Sequence, residues 1–308
     1  MIINSGNRTD IPAYYSDWFY NRIEAGYVYV RNPYFPEQIT SYRLDPSLVD
    51  CLVFCTKNPA PLLSRLDRLA PFRQFWHVTI TPYGPDVEPH VPSWQMVVKS
   101  FRELSRRLGP EKIQWRYDPI ILTEKYTIPY HLESFEALAR SLEGFTDTCI
   151  ISFVDLYEKT KRNFPGIREL TWEEQVTLSK EMVRIASQYG MGITACAESE
   201  ALAEYGVETG GCLTKEVLER ALGLELKPTG HLQKRDACNC LLGIDIGEYN
   251  SCGHGCLYCY ANQSESLVLR TIPRHDPDSP LLIGWPGEGE TVKEAVQKSF
   301  TTGQGRLF

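Results

Sequence analysis

CLVFCTKNPAPLLSRLDRLAPFRQFWHVTIT, residues 51–81, sets two short apolar runs, Cys51–Cys55 and Trp76–Thr81, on either side of a helical pattern near Pro61–Leu69. Runs of this length, rich in β-branched and aromatic residues, suit strands buried on both faces. A strand, a helix and a second strand read as one βαβ unit with parallel strands. Further apolar runs follow at Ile113–Tyr117, Cys149–Val154, Met191–Cys196 and Leu241–Ile246. Helical patterns lie between them near Trp94–Leu108, Pro129–Leu142 and Trp172–Tyr189. Thr171 with Glu174 fits a capping box, and Gly190 fits the end of that helix. So many alternating units predict an α/β fold, a complete or partial TIM-like (β/α) barrel rather than an open sheet. The barrel is expected over residues 1–262. Residues 263–308, with Pro273, Pro277, Pro280 and Pro286, read as an extended C-terminal extension packed on it and ending in a helix near Thr291–Phe300. The stretch Glu198–Arg235 carries fewer clear signals.

The 308 residues include 43% hydrophobic and 23% charged residues, values that support an ordinary globular core. The formal net charge of -7 disfavours a dedicated duplex-DNA or polyanion binder. The opening MIINSGNRTDIPAYYSDW has neither a charged n-region nor an apolar h-region. No apolar stretch approaches the roughly 18 residues of a membrane span. A cytoplasmic protein without a membrane partner is therefore expected. Its 10 cysteines would stay reduced there, which makes metal or cluster ligation the main reason to group them.

The densest grouping is Cys252-Gly-His-Gly-Cys256-Leu-Tyr-Cys259, spaced C-x3-C-x2-C. Three thiolates in one loop can hold three irons of a [4Fe–4S] cubane and leave the fourth iron open. Gly253 and Gly255 suit a backbone folded closely round a bulky group. The loop follows the strand-like LLGIDIG, so its cysteines belong at a strand's C-terminal end, where barrel enzymes build their sites. The alternative is zinc, with His254 completing a tetrahedral set.

C-x3-C-x-aromatic-C, with Tyr258 as the aromatic residue, resembles the signature of the radical S-adenosylmethionine (SAM) superfamily. That resemblance implies an enzyme in which the open iron binds SAM and Tyr258 lies against its adenine. Reductive cleavage of SAM would then yield a radical that abstracts hydrogen from a substrate. It also implies a reductant such as flavodoxin or ferredoxin. Most members carry the motif near the start of the chain, so its late position here implies circular permutation, with the cluster-bearing strand coded last. Phe54–Pro59, Arg65–Asp67, Trp76–Thr81, Glu88-Pro89 and Arg116–Ile120 resemble the spore photoproduct lyase branch, which raises DNA repair as a subsidiary idea. The whole chain resembles an uncharacterised prokaryotic family, domain of unknown function 1848, through R-T-D-I-P (Arg8–Pro12), T-K-N-P (Thr56–Pro59), R-Y-D-P (Arg116–Pro119) and D-I-G-x-Y-N-x-C (Asp245–Cys252).

A second group comprises Cys196, Cys212, Cys238 and Cys240. Converging near one mouth, these could hold an auxiliary [4Fe–4S] cluster or an all-thiolate zinc ion; as separate reduced thiols they would simply fill space. Cys51, Cys55 and Cys149 lie in apolar runs and read as core. If Thr56–Asn58 and Arg116–Asp118 end their strands, Lys57 or Arg116 could pair with the carboxylate of SAM. Glu88, Asp118 and Asp155 could accept from ribose hydroxyls or from substrate. Each equally fits a strand-end ion pair or a loop turn. Asp10, before Ile11-Pro12, could reach the mouth or serve turn chemistry. His77 reads as a core histidine, and no Ser/His/Asp triad or phosphate-cradling loop is present. The expected function is thus a radical SAM enzyme acting on a small-molecule, peptide or nucleic-acid substrate. Its rival is a non-enzymatic zinc- or cluster-binding module, an electron carrier or nucleic-acid adaptor.

Overall fold

A computed structural model describes residues 1–228, 240, 241 and 243–301. Its strands are β1 (Ile2–Asn4), β2 (Tyr27–Arg31), β3 (Gln38–Arg43), β4 (Cys51–Thr56), β5 (Gln74–Thr79), β6 (Ile113–Ile120), β7 (Thr148–Phe153), β8 (Gly192–Ala195), β9 (Ile244–Asp245) and β10 (Thr291–Glu294). Seven of them form one parallel sheet in the order β8-β7-β6-β5-β4-β1-β9. The last-coded strand of that sheet, β9, pairs with the first, Ile3 opposite Ile244 and Asn4 opposite Asp245. From β1 the remaining strands follow in chain order, without the reversal that marks the switch point of a doubly wound sheet.

The apolar runs become strands because both faces of the sheet are covered; all of β7 and most of β4 and β5 are buried. Alternate residues serve two apolar layers. Leu52, Phe54, Trp76 and Trp115 join the larger layer, in which Phe54 stacks on Trp76 at 4.0 Å and Trp115 on Phe135 at 4.8 Å between ring centroids. Phe135 belongs to the helix Ile128–Leu142, and the helices Trp94–Leu108 and Trp172–Gln188 contribute Phe101, Leu104, Leu178 and Met182. The capping box of Thr171 and Glu174 is present. Cys51, Val53 and Phe75 face the other way, toward Leu213, Leu218, Leu224, Leu226 and Leu241. Residues 198–228, weak in sequence signals, thus supply the helix Lys215–Leu222 and the second cover of the sheet.

A complete barrel is not what forms: among the described residues the sheet stays open, with β8 and β9 as its edges. Closure needs every strand tilted and staggered against two neighbours. Here the edge strands are only 4 and 2 residues long. The expected helix near Thr291–Phe300 is also replaced. Thr291–Glu294 is β10, parallel to β3 in a three-stranded sheet completed by the antiparallel pairing of β2 with β3. Thr291 and Val292 are β-branched and meet the free edge of β3, which outweighs any weak helical period. Asp50 then ties the tail to the start of the chain. Its carboxylate takes the amino group of Met1, the hydroxyl of Ser299 and, at 2.7 Å, the amide of Phe300. Among the described residues no helix is long and apolar enough to cross a membrane.

His77 and His131 are buried and hydrogen-bonded, the former to Gln114 at 3.0 Å, the latter to Tyr117 at 2.8 Å and the carbonyl of Ile121 at 2.9 Å. Burial pushes His77 down to about 3 and His131 down to about 4. Both stay neutral in the fold while the unfolded chain protonates them near pH 6.5, so stability is lost as pH falls below that value. Denaturant unfolding should show a loss on the order of 2 kcal/mol per histidine between pH 6.5 and 5. His131→Gln should flatten the profile by about half of the wild-type slope; a wild-type midpoint independent of pH over that range would contradict the burial argument.

Candidate metal and cofactor site

The C-terminal ends of β4, β6, β7 and β8 and the loop after β9 surround one cavity of ≈ 320 Å³. Parallel sheets place their strand-end loops together, so residues far apart in sequence meet there. Cys252, Cys256 and Cys259 all line it and are free thiols. Their loop is fixed from within and from outside. The Cys259 amide donates to the Cys256 carbonyl at 3.1 Å, and the Ala261 amide to the Cys259 sulfur at 3.3 Å. The Leu257 amide reaches the Val87 carbonyl and the His90 amide the His254 carbonyl, each at 3.1 Å. Gly255 is left-handed, with φ 70°, and a Cβ on Gly253 would stand 2.8 Å from the ring of Tyr14. Both positions therefore demand glycine, for conformation in one case and for space in the other.

His254 is buried, with Nε2 at 2.8 Å from Asp10 Oδ2 and Nδ1 at 3.1 Å from the Tyr14 hydroxyl. Both ring nitrogens are engaged, which removes the expected fourth ligand of a zinc site on this loop. Asp10 does more than turn chemistry: Oδ1 caps the helix Ile11–Tyr14 through the Ala13 amide at 3.1 Å, and Oδ2 also takes the Lys57 amide at 2.8 Å. The donor set that remains is three thiols and no imidazole, which suits a group that needs three thiolates and one open position. Burial pushes the Cys252 thiol up to about 12 and holds the Cys256 thiol well above the usual cysteine value. Ligation must therefore expel protons from the loop.

Three of the four expected cofactor contacts meet beside these cysteines. Glu88 is buried and accepts from Lys57 Nζ at 2.9 Å, from Thr81 Oγ1 at 2.8 Å and from the Tyr258 hydroxyl. Lys57 Nζ also lies 5.6 Å from the centroid of the Tyr258 ring. Burial pulls the Lys57 ammonium down, but Glu88 and then Cys256 outweigh it and hold its pKa above the usual lysine value. The fourth, Arg116, lies elsewhere in the same cavity: Nε donates to Asp118 at 2.9 Å, Nη2 also pairs with Asp118, and Nη1 donates to the Cys212 sulfur at 3.3 Å. Asp118 in turn accepts from the Ser152 hydroxyl.

Cys212 sits 3.8 Å, sulfur to sulfur, from both Cys196 and Cys240. Cys238, expected as their companion, lies outside the described residues. Among the described residues no three metal-ligating side chains already close on one ion-sized point. Cys51 and Cys149 are core thiols, as expected, but Cys55 is not: it lines the cavity, 3.5 Å from His77 Nδ1. Glu198 carries no signal in the sequence; burial pushes its carboxyl up to about 8, and it accepts from the Phe153 amide at 2.7 Å. Only the fold brings it to the end of β7. The contact of Tyr14 with His254 likewise depends on the pairing of β1 with β9.

A search of curated proteins returned no match. A family model, the domain of unknown function DUF1848, matches residues 2–261, which takes in the whole cavity and the cysteine loop. The chain belongs to the DUF1848 family.

Proposed function

We propose that this protein is a radical SAM enzyme built on a partial, circularly permuted (β/α) barrel, with a [4Fe–4S] cluster on Cys252, Cys256 and Cys259. The observation that carries this reading is the donor set: three free thiols on a strand-end loop, beside a histidine whose two nitrogens are both occupied. The strand order supports the permutation, because β9 stands next to β1 and the other strands run on from it in sequence. A cluster held by Cys252, Cys256 and Cys259 with SAM bound would supply one-electron reductive chemistry for hydrogen abstraction from a substrate.

The chain's own residues hold and shelter that chemistry. Lys57 brings a buried ammonium within electrostatic reach of Cys256, where it lowers the cost of thiolate charge and can take an anionic carboxylate. Glu88 neutralises that ammonium when no ligand is present and fixes the edge of Tyr258 through its hydroxyl. The Tyr258 ring lines the cavity, where it can stack on a flat aromatic partner such as adenine. The Asp10–His254–Tyr14 chain holds the loop backbone rigid without spending a ligand. Electrons would come from a small carrier such as flavodoxin or ferredoxin.

Anaerobic reconstitution with iron and sulfide should give the wild type a reduced EPR signal that SAM perturbs, and 5′-deoxyadenosine under dithionite. Cys252→Ala, Cys256→Ala and Cys259→Ala combined should abolish both. Zinc alone in this loop, or a cluster indifferent to SAM, would replace the enzyme with a metal-binding module.

Lys57→Met should weaken SAM binding about tenfold or more, the loss of one charge-assisted contact, while iron content stays at the wild-type level. Equilibrium binding to the reconstituted protein measures it. An unchanged affinity would move the carboxylate contact away from Lys57.

A further inference from the structure

Cys196 follows β8, Cys212 stands between Gly211 and the helix Lys215–Leu222, and Cys240 precedes β9. We infer that these three thiols form a second metal site, a thiolate centre for a single soft cation such as zinc. The site uses none of the residues of the Cys252–Cys259 loop and does not depend on the cluster reading.

Several contacts suit these sulfurs to ligation rather than to idle packing. Arg116 already gives two of its nitrogens to Asp118, and it spends a third on the Cys212 sulfur at 3.3 Å. The Leu213 amide donates to the Cys240 sulfur at 3.2 Å. A neutral thiol is a weak acceptor, whereas a metal-bound thiolate is stabilised by such second-layer donors. Gly211 has φ 121°, and a Cβ there would stand 3.0 Å from the Cys240 sulfur, so glycine keeps that sulfur accessible. The spacing fits as well. Sulfurs at about 2.3 Å from zinc in a tetrahedron lie about 3.8 Å apart, and Cys212 stands 3.8 Å from each of its neighbours. The sulfurs now form an open chain, Cys196 to Cys212 to Cys240, which side-chain rotation at the two ends would close round an ion. All three line the cavity, so a fourth coordination position would look into it. Three protein ligands with an open position is the pattern of a site that takes solvent or a substrate donor.

The test uses the full chain carrying Cys252→Ala, Cys256→Ala and Cys259→Ala, so that the first set contributes nothing. Cobalt(II) should bind at one equivalent, with sulfur-to-cobalt charge-transfer absorption, and zinc should displace it. Adding Cys212→Ser should weaken binding by at least about 100-fold. Peptide-resolved alkylation of the wild-type chain covers a variant that fails to fold: zinc should protect Cys196, Cys212 and Cys240 from iodoacetamide. Equal alkylation with and without zinc, or cobalt binding that survives Cys212→Ser, overturns the site. Uptake of iron and sulfide with no binding of a single ion overturns the single-ion occupancy. Failure of the cluster reading would be seen separately, in the wild type reconstituted with iron.

Discussion

Asp10 is a buried carboxylate that must find donors where water cannot supply them, and it finds them in three parts of the chain. It caps the first helix, takes the backbone of Lys57 at the end of β4, and meets His254 in the cysteine loop. Those contacts fix the mutual placement of the segments after β1, β4 and β9, whose strands are neighbours in the sheet. With that placement given, Lys57 points at Glu88 and Tyr258 comes to the same carboxylate from the loop. The rest of the cavity wall follows from ordinary parallel-sheet geometry. An unsatisfied carboxylate here would cost more than any one of these hydrogen bonds contributes, which makes the junction close to all-or-none.

The central sheet was legible because its strands are buried on both faces and therefore read as unbroken apolar runs. Cys51–Thr56, Gln74–Thr79 and Thr148–Phe153 differ by only a few residues from the runs in the sequence. Where a strand is short or half-exposed, that signal fades. The run Leu241–Ile246 is a strand only over Ile244–Asp245, and β2 and β3, half-buried along most of their length, gave no alternation strong enough to notice. The tail strand β10 is exposed throughout, so its pairing comes from the edge of β3 and not from its own pattern. Closure of a sheet is a property of tilt and stagger, which no residue pattern records.

Within the cavity, residue type and strand-end position located the lining but not the pairings. Strand positions alone could not say that Lys57 would pair with Glu88, or that Arg116 would turn to Asp118 and Cys212, because both cations reach one mouth, Lys57 from the end of β4 and Arg116 from β6. Cys55 was misread for a related reason: it belongs to an apolar run, yet it stands near the end of β4 where the strand meets the cavity. The links among Asp10, Tyr14 and His254 join positions more than two hundred residues apart, and only the β1–β9 pairing makes them neighbours.

The two cations divide the cavity between the two groups of thiols. Lys57 acts on Cys256 and is balanced by Glu88; Arg116 touches Cys212 and is balanced by Asp118. A cation left bare in this setting would cost several kcal/mol before any ligand arrived. A carboxylate partner for each lets the chain fold with its thiols protonated and its charges paired. When thiolate charge develops, each cation can lean toward sulfur without leaving its carboxylate, since Arg116 already contacts both. On the proposed reading of both thiol groups as metal ligands, the arrangement separates two demands, stability of the empty fold and stabilisation of the ligated thiolates. Neutralising Asp118 would disturb the first demand, whereas neutralising Arg116 would disturb both, because it also leaves the Asp118 carboxylate without its cation.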